Sequence, residues 1–304
     1  MSPAASMPAA RPRPAATLLV STYNWPRALE LVLRSALAQR VRPAQVVVAD
    51  DGSGEETRAV VGAFAPRFAR AGVAFEHAWH PDEGFRLAAV RNLALARARG
   101  DYVLQVDGDC VLHPDFVGSH LAFARPGAFV QGSRVMVSPA RTARALADGE
   151  GAFGLLDRGL RSRQNGLTLP LLRPFVRCPQ NSWEGTRGCN MAYWLADARR
   201  VNGFDARIVG WGREDVEFSA RLMAAGLRRR RLKFGGIVYH LHHPAASRAR
   251  EDENQALYDA TLRTGRVWCE HGIVCPAAGD GEPAAEDVVP AGAPADAPAA
   301  GGAG

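Results

Sequence analysis

The sequence predicts an α/β fold with a mostly parallel sheet flanked by helices. Short apolar runs alternate with stretches of helical spacing through the first half of the chain. Two of those runs stop at acidic turns, Asp50-Asp51-Gly52-Ser53 and Asp107-Gly108-Asp109. In parallel sheets of this kind, ligands bind beyond the carboxyl ends of the strands, where both turns fall.

The elements follow in order. Thr17–Thr22 is a buried strand, and Pro26 opens a helix whose Ala28, Leu29, Leu31, Val32, Ala36 and Leu37 share a face. Gln45–Ala49 is a second strand, and a helix runs from Glu55 to about Arg70. Val73–His77 is a third strand, and Leu87–Arg99 is a helix closed by Gly100. Tyr102–Val106 is a fourth strand. Beyond it the pattern loosens. Ala128–Val137 reads as a strand pair or one long strand, and 158–187 as a long loop that could form a lid. Asp215–Ala225 is a helix, Ile237–His240 a strand, and Arg248–Arg266 a last helix.

The 304 residues are 47% hydrophobic and 22% charged, which excludes a wholly disordered or fibrous chain. Five Cys exclude a disulfide scaffold. No apolar run is long enough to span a bilayer, and the first residues lack the apolar centre of a secretory signal. A cytoplasmic protein is expected. Residues 1–15 and the Ala/Pro/Gly-rich 276–304 read as disordered tails around a folded body at 16–275. Of the +6 net charge, 276–304 hold five acids and no base, and 1–15 hold Arg11 and Arg13, so the body carries +9. A basic body favours anionic partners, but the Arg228–Arg231 run has no interleaved aromatics, which argues against nucleic acid. That run is either a solvated edge or a dock for an anionic lipid-linked glycan, with peripheral membrane association.

Two carboxylates one residue apart, Asp107 and Asp109, suit Mn²⁺ or Mg²⁺ held against a diphosphate. An Asp-Gly turn alone would be ordinary. Here it stands in order with VSTYN, VADDGS and DEGFRLAAVRN, and with GCNMAYWLADARRVNGFDARIVGWGREDVEF further on. Taken together, these resemble the family 2 glycosyltransferases of the GT-A fold, with a galactosyltransferase-type C-terminal segment. The resemblance spans about residues 16–245, a nucleotide-sugar half at 16–140 and an acceptor half at 180–245.

The resemblance implies roles for particular residues. Thr22, Tyr23 and Asn24 would border the nucleotide base, and Asp50 and Asp51 would read uracil and ribose. Phe85, Arg86, Arg91 and Asn92 would line the nucleotide and diphosphate, with Asp107 beside them. Asp109, Asp107 and His240 would hold the metal, with His242 and His243 as alternatives for the imidazole. Asp215 would be the general base of a metal-dependent inverting transfer from a UDP-sugar, and Glu214 would bond the acceptor. Trp211, Gly212 and Asn190 would contact an acceptor glycan or lipid-linked glycan of a cell-surface polymer. The chain departs from the family pattern at Ser21, where Pro is usual, and at Arg213, where a small residue is usual. A sugar-phosphate nucleotidyltransferase would need a Gly-rich loop after the first strand, and Ser21-Thr-Tyr-Asn-Trp-Pro has no Gly. A non-catalytic glycan-binding module would be expected to lack the D-x-D or E-D carboxylates, and both are present.

Overall fold

A computed structural model describes residues 13–176 and 186–274. Most of both expected tails, and 177–185 of the expected loop, lie outside them. The main sheet is built from β1 (Ala16–Thr22), β2 (Gln45–Asp50), β3 (Ala74–Trp79), β4 (Tyr102–Asp107), β6 (Ala128–Gln131), β9 (Asn190–Trp194) and β10 (Arg228–Arg231). Their spatial order is β10-β6-β9-β4-β1-β2-β3. Only β9 runs against the rest, pairing antiparallel with both β4 and β6.

Every residue of β1 and β2 is buried, because helices cover both faces of the sheet. Alternation along each strand assigns the faces. Leu18, Val20, Val46 and Val48 pack with α1 (Pro26–Leu37) and α2 (Glu55–Arg70). Leu19, Val47 and Ala49 pack with α3 (Leu87–Arg97) and with Phe218 and Leu222 of α7 (Glu214–Ala224).

A smaller sheet has the order β5-β11-β7-β8, from β5 (Cys110–Leu112), β7 (Ser133–Val137), β8 (Leu160–Arg161) and β11 (Ile237–His240). Helices α4 (Phe116–Phe123), α5 (Pro139–Asp148), α6 (Leu195–Arg200) and α8 (Glu251–Thr264) complete the described residues.

Several expectations are corrected. The basic run Arg228–Arg231 is itself the edge strand β10, parallel to β6, rather than a lead-in to a strand. Residues 158–176 contain β8 and two short 3₁₀ turns at 163–166 and 170–175, so this part of the expected loop is structured. The strand β9 was not anticipated, because Asn190-Met-Ala-Tyr-Trp follows Gly and Cys and alternates poorly.

Register brings the functional turns together. In β1, Ser21 lies opposite Asp107 and Thr22 opposite Asp50. The turns are then pinned to β1. Asp51 donates its N–H to Thr22 O at 3.0 Å, and Gly108 donates to Ser21 O at 2.6 Å. A Cβ on Gly108 would sit 2.9 Å from Ser21 O, so only glycine allows this approach.

Candidate active site

A cleft of about 280 Å³ opens at the carboxyl edge of the main sheet, lined by Thr22, Tyr23, Trp25, Asp51, Phe85, Asp107, Asp109 and His243. The base-side residues are held by one another. Asn24 donates its N–H to Ser53 Oγ at 2.8 Å, and its Oδ1 accepts from Gly54 N at 2.9 Å, tying the first turn to the second. The Tyr23 hydroxyl donates to Asp82 Oδ2 at 2.9 Å. That bond, above all, holds the phenol's proton more firmly than usual.

The two acids of the first acidic turn part ways. Asp50 is fully buried behind the cleft, where it accepts from Ser53 N and meets His77 Nε2, each at 2.9 Å. Burial alone would raise its pKa, but those bonds outweigh it and the carboxyl lies below its usual range. Asp50 therefore braces the turn from behind the cleft, which it does not line. Asp51 does face the cleft. Its Oδ2 accepts from Arg86 N at 2.8 Å, while its buried Oδ1 lacks a hydrogen-bond partner and lies 3.1 Å from His80 Nε2. Burial pushes Asp51 up to about 6, against the pull of Arg86 and His80.

Arg91 and Asn92 also differ from expectation. Asn92 exchanges two bonds of 2.7 Å with the Phe204 backbone and is buried, so it fastens α3 to the 204 loop and does not touch the cleft. Arg91 is 1% exposed, and its guanidinium is turned to carboxylates inside the protein. Its Nη2 donates to Asp107 Oδ1 at 2.9 Å, its Nη1 to Glu214 Oε1 at 3.1 Å and its Nε to Ser21 Oγ at 3.2 Å. Burial disfavours the charged guanidinium, and Asp107, Glu214 and Asp215 outweigh that effect. One buried cation thus joins the D-x-D turn to the E-D pair.

The metal candidates converge through the small sheet. His240 of β11 pairs with Cys110 of β5, and Leu241 N donates to Asp109 O at 2.9 Å. His240 Nε2 then lies 3.8 Å from Asp109 Oδ2, and His243 Nε2 lies 3.2 Å from the same oxygen. A carbonyl can only accept, so the His240 Nδ1 contact with Leu241 O at 2.9 Å places the ring proton on Nδ1 and turns the Nε2 lone pair toward Asp109. Asp109, Cys110 and His240 bring their donor atoms within 4.8 Å of one another. Burial, reinforced by the Asp107 charge, raises the Asp109 carboxyl against the pull of His240 and His243. A carboxylate buried beside an imidazole lone pair fits a divalent cation, and the mixed O and N set suits Mn²⁺ better than Mg²⁺.

The catalytic candidates stand at the start of α7. Gly210, Gly212 and Arg213 all have positive φ (80°, 94° and 82°), which folds the chain sharply back before the helix. Gly210 N donates to Phe85 O at 2.8 Å, joining this loop to the Phe85-Arg86 segment. Asp215 is held by two backbone donors, Gly188 N at 2.6 Å and Val216 N at 2.7 Å. Burial and the neighbouring Asp215 charge push Glu214 up to about 7, against Arg91, and Asp215 is raised mainly by burial. Trp211 is 40% exposed, with the Arg248 guanidinium 4.6 Å above its ring.

Asn190 is corrected. It is fully buried, faces His120 Nε2 at 3.1 Å and donates to Ser133 O and Gly236 O, so no polar atom is left for an acceptor. The Gly-Cys-Asn element instead reaches the site through the Gly188 N–H.

Sequence reasoning missed Trp25, which lines the cleft, and His80, whose Nε2 meets Asp51; His243, expected as an alternative imidazole for the metal, also lines the cleft. Extending the third strand to Trp79 would have put His80 at the same carboxyl edge as Asp51. The His243 position follows only from the turn after β11.

Comparisons with known proteins bear on the family and the fold. Validoxylamine A glucosyltransferase of Streptomyces hygroscopicus subsp. limoneus is 28% identical over 226 residues, 70% of this chain and 49% of that protein. Chondroitin synthase of Pasteurella multocida (strain Pm70) is 26% identical over 263 residues, 81% of this chain and 26% of that protein. This chain therefore spans about a quarter to a half of the length of these relatives. Among solved structures, S. aureus TarS 1–349 superposes with a TM-score of 0.57 at 19% identity, covering 82% of this chain and 65% of that one. The mannosyltransferase PcManGT from Pyrobaculum calidifontis, in complex with GDP-Man and Mn²⁺, gives 0.55 at 19% identity over 84% and 65%. These neighbours share the GT-A fold. Residues 176–244 match the model of the N-terminal domain of galactosyltransferase. Residues 17–176 match the model of glycosyl transferase family 2, more than half of the chain, and the chain belongs to that family.

Proposed function

We propose that the protein is a metal-dependent, inverting glycosyltransferase that moves a sugar from a nucleotide-sugar, a UDP-sugar above all, to a growing glycan. One observation carries the reading. The D-x-D turn, whose Asp107 and Asp109 line the cleft with His240 near Asp109, is joined through the buried Arg91 to the second carboxylate pair, Glu214 and Asp215. Inverting transfer needs these two acidic centres, one for the donor diphosphate and one for the acceptor hydroxyl.

In this reading Asp51 accepts from the ring N–H of the base, and Tyr23 and Phe85, both partly exposed at the cleft, flank it. Asp109, Asp107 and His240 hold Mn²⁺, which when bound neutralises charge on the departing nucleoside diphosphate. Asp215 takes the acceptor proton as the hydroxyl oxygen attacks the anomeric carbon from the face opposite the leaving group. The backbone donors of Gly188 and Val216 fix its carboxylate for that task. Trp211 stacks on the acceptor sugar, and Glu214 bonds it. The acceptor is a glycan or lipid-linked glycan of a cell-surface polymer. The reading places the enzyme in the cytoplasm, peripheral to the inner face of the membrane.

A thermal-shift panel of nucleoside diphosphates with and without Mn²⁺ tests the donor site. Selective binding to the native state raises its melting temperature. UDP is expected to stabilise only with Mn²⁺, and Asp109→Ala to abolish the effect. A folded protein that responds to no nucleotide would overturn the reading.

A pH dependence follows from Asp51. Its pKa of about 6 lies above the ordinary 3.8. The carboxylate acceptor is therefore lost as pH falls through 6, and UDP affinity should drop toward about tenfold per pH unit below that. The sign for stability is opposite, since a raised carboxyl makes the native state gain stability as pH falls from 6 toward 3.8. Titration calorimetry from pH 5 to 8 should show the affinity loss in the native protein and a flat profile in Asp51→Asn.

A further inference from the structure

Of the large hydrophobic side chains exposed among the described residues, six fall within 155–175: Leu155, Leu156, Leu169, Leu171, Leu172 and Phe175. Three are almost wholly in water, Leu156 at 89%, Leu171 at 87% and Phe175 at 80%. Single exposed leucines are ordinary, but a run of this kind marks an interaction surface. Parts of the stretch are tied down locally. An added Cβ on Gly166 would lie 3.8 Å from Leu155 Cδ1, which places the 155 turn beside the first 3₁₀ turn. The second 3₁₀ turn is fastened to the 234 loop by Arg173, whose Nη2 donates to Phe234 O at 2.9 Å.

Charge selects the partner. Residues 151–176 contain Arg158, Arg161, Arg163 and Arg173 and one acid, Asp157, which is paired with Arg141 at 2.7 Å. Arg158 and Arg161 are exposed, and Lys233 lies next to Phe234. Apolar side chains among arginines, with almost no acids, match the headgroup boundary of an anionic bilayer. There leucine and phenylalanine enter the acyl edge while guanidinium groups stay at phosphate level. A second copy of this basic surface would bring like charges together.

We propose that residues 155–175 are a membrane-docking surface that seats the protein on anionic lipid headgroups. β8 within this stretch pairs with β7, the neighbour of β11, so the docked sheet is the one that ends at His240. The proposal gives a location to the membrane half of the functional reading and does not depend on sugar transfer.

The test is co-sedimentation of the full chain with phosphatidylcholine vesicles, with and without phosphatidylglycerol. Binding is expected to need phosphatidylglycerol and to weaken in high salt. Arg158→Glu with Arg161→Glu should weaken it by at least about fivefold per residue, as for loss of a cation near an anionic surface. Leu171→Asp with Phe175→Asp should remove most of the remainder. Leu262→Asp, on exposed α8, should leave binding unchanged. Melting curves check that each variant folds, and the charge pair decides the matter if the apolar pair does not fold. Absence of binding by the native chain would overturn the proposal, as would binding by both pairs of variants equal to that of the native chain. A fall in solution mass in the apolar variant, without vesicle binding by the native chain, would assign the face to self-association instead. None of these outcomes requires a nucleotide, so failure here leaves the donor-site test untouched.

Discussion

Asp215→Asn is expected to lower kcat by about 10²–10⁴, the usual contribution of a positioned general base, with nucleotide affinity unchanged. Asparagine keeps the shape but only one acceptor oxygen, so one of the two bonds from Gly188 N and Val216 N is lost, and a melting curve checks that the variant folds. The separation between kcat and donor binding is the informative result. A matched loss of both would place Asp215 in donor binding. The pH profile supplies a second check. Glu214, pushed up to about 7, and Asp215, also raised, share this corner. Transfer should therefore decline as pH falls through about 7. Coupled acids titrate as a pair, so the profile reports the pair rather than either residue. Glutamine at 214 should simplify the profile without abolishing turnover.

Arg91→Met is expected to destabilise the protein by about 3–5 kcal/mol, the cost of removing one partner from a buried ionic cluster. For a domain of this size that corresponds to a fall in Tm of roughly 6–20 °C. The cause is local. Asp107 and Glu214 would lose their shared cation at 2.9 and 3.1 Å, and Ser21 its donor partner. The cation–π contact with Phe204 at 5.4 Å would go as well. Arg91→Lys should recover part of the stability, since a point charge reaches one carboxylate but not both. The loss should be smaller below about pH 7, where Glu214 protonates. A Tm unchanged from the native value would show that the cluster does not contribute to stability.

Much of this could be read from the sequence. β1, β2 and β4 are buried on both faces, so they appear as continuous apolar runs whose ends are unmistakable. The acidic turns lie at those ends, and register alone brings them together. β9 and β10 were hidden for opposite reasons. One is short and follows a loop. The other is four arginines, a composition opposed to strand formation, held by parallel pairing to β6 and by contacts such as Arg230 Nη1 with Phe123 O at 2.7 Å.

Among candidate site residues, Asp51, Asp109, His240 and the E-D pair could be placed from the sequence, because each sits next to a strand end or a helix start. The sequence did not separate from them Asn92, Asn190, Asp50 and Arg91, which the structure buries and bonds to the scaffold. Asn92, Asn190 and Arg91 are polar residues with partners far along the chain, from Phe204 to His120 to Glu214, while Asp50 is held by the nearby Ser53 and by His77. A polar residue near a site motif has the same local signature whether it faces substrate or fastens the scaffold. Only long-range contacts separate the two.

The reversed strand β9 has a consequence for how this chain can be made and recombined. It belongs to the later matched segment, yet it lies between β4 and β6 of the earlier one. The two matched segments are therefore not interchangeable cartridges. A chain ended near residue 176 would leave a gap between β4 and β6, with both flanking edges unpaired and open to association with other chains. During synthesis the sheet cannot close until residue 194 has left the ribosome. A chimera that exchanges the acceptor half must bring its own strand, matched in register to Val106 and Val130, or the donor half will not close around it.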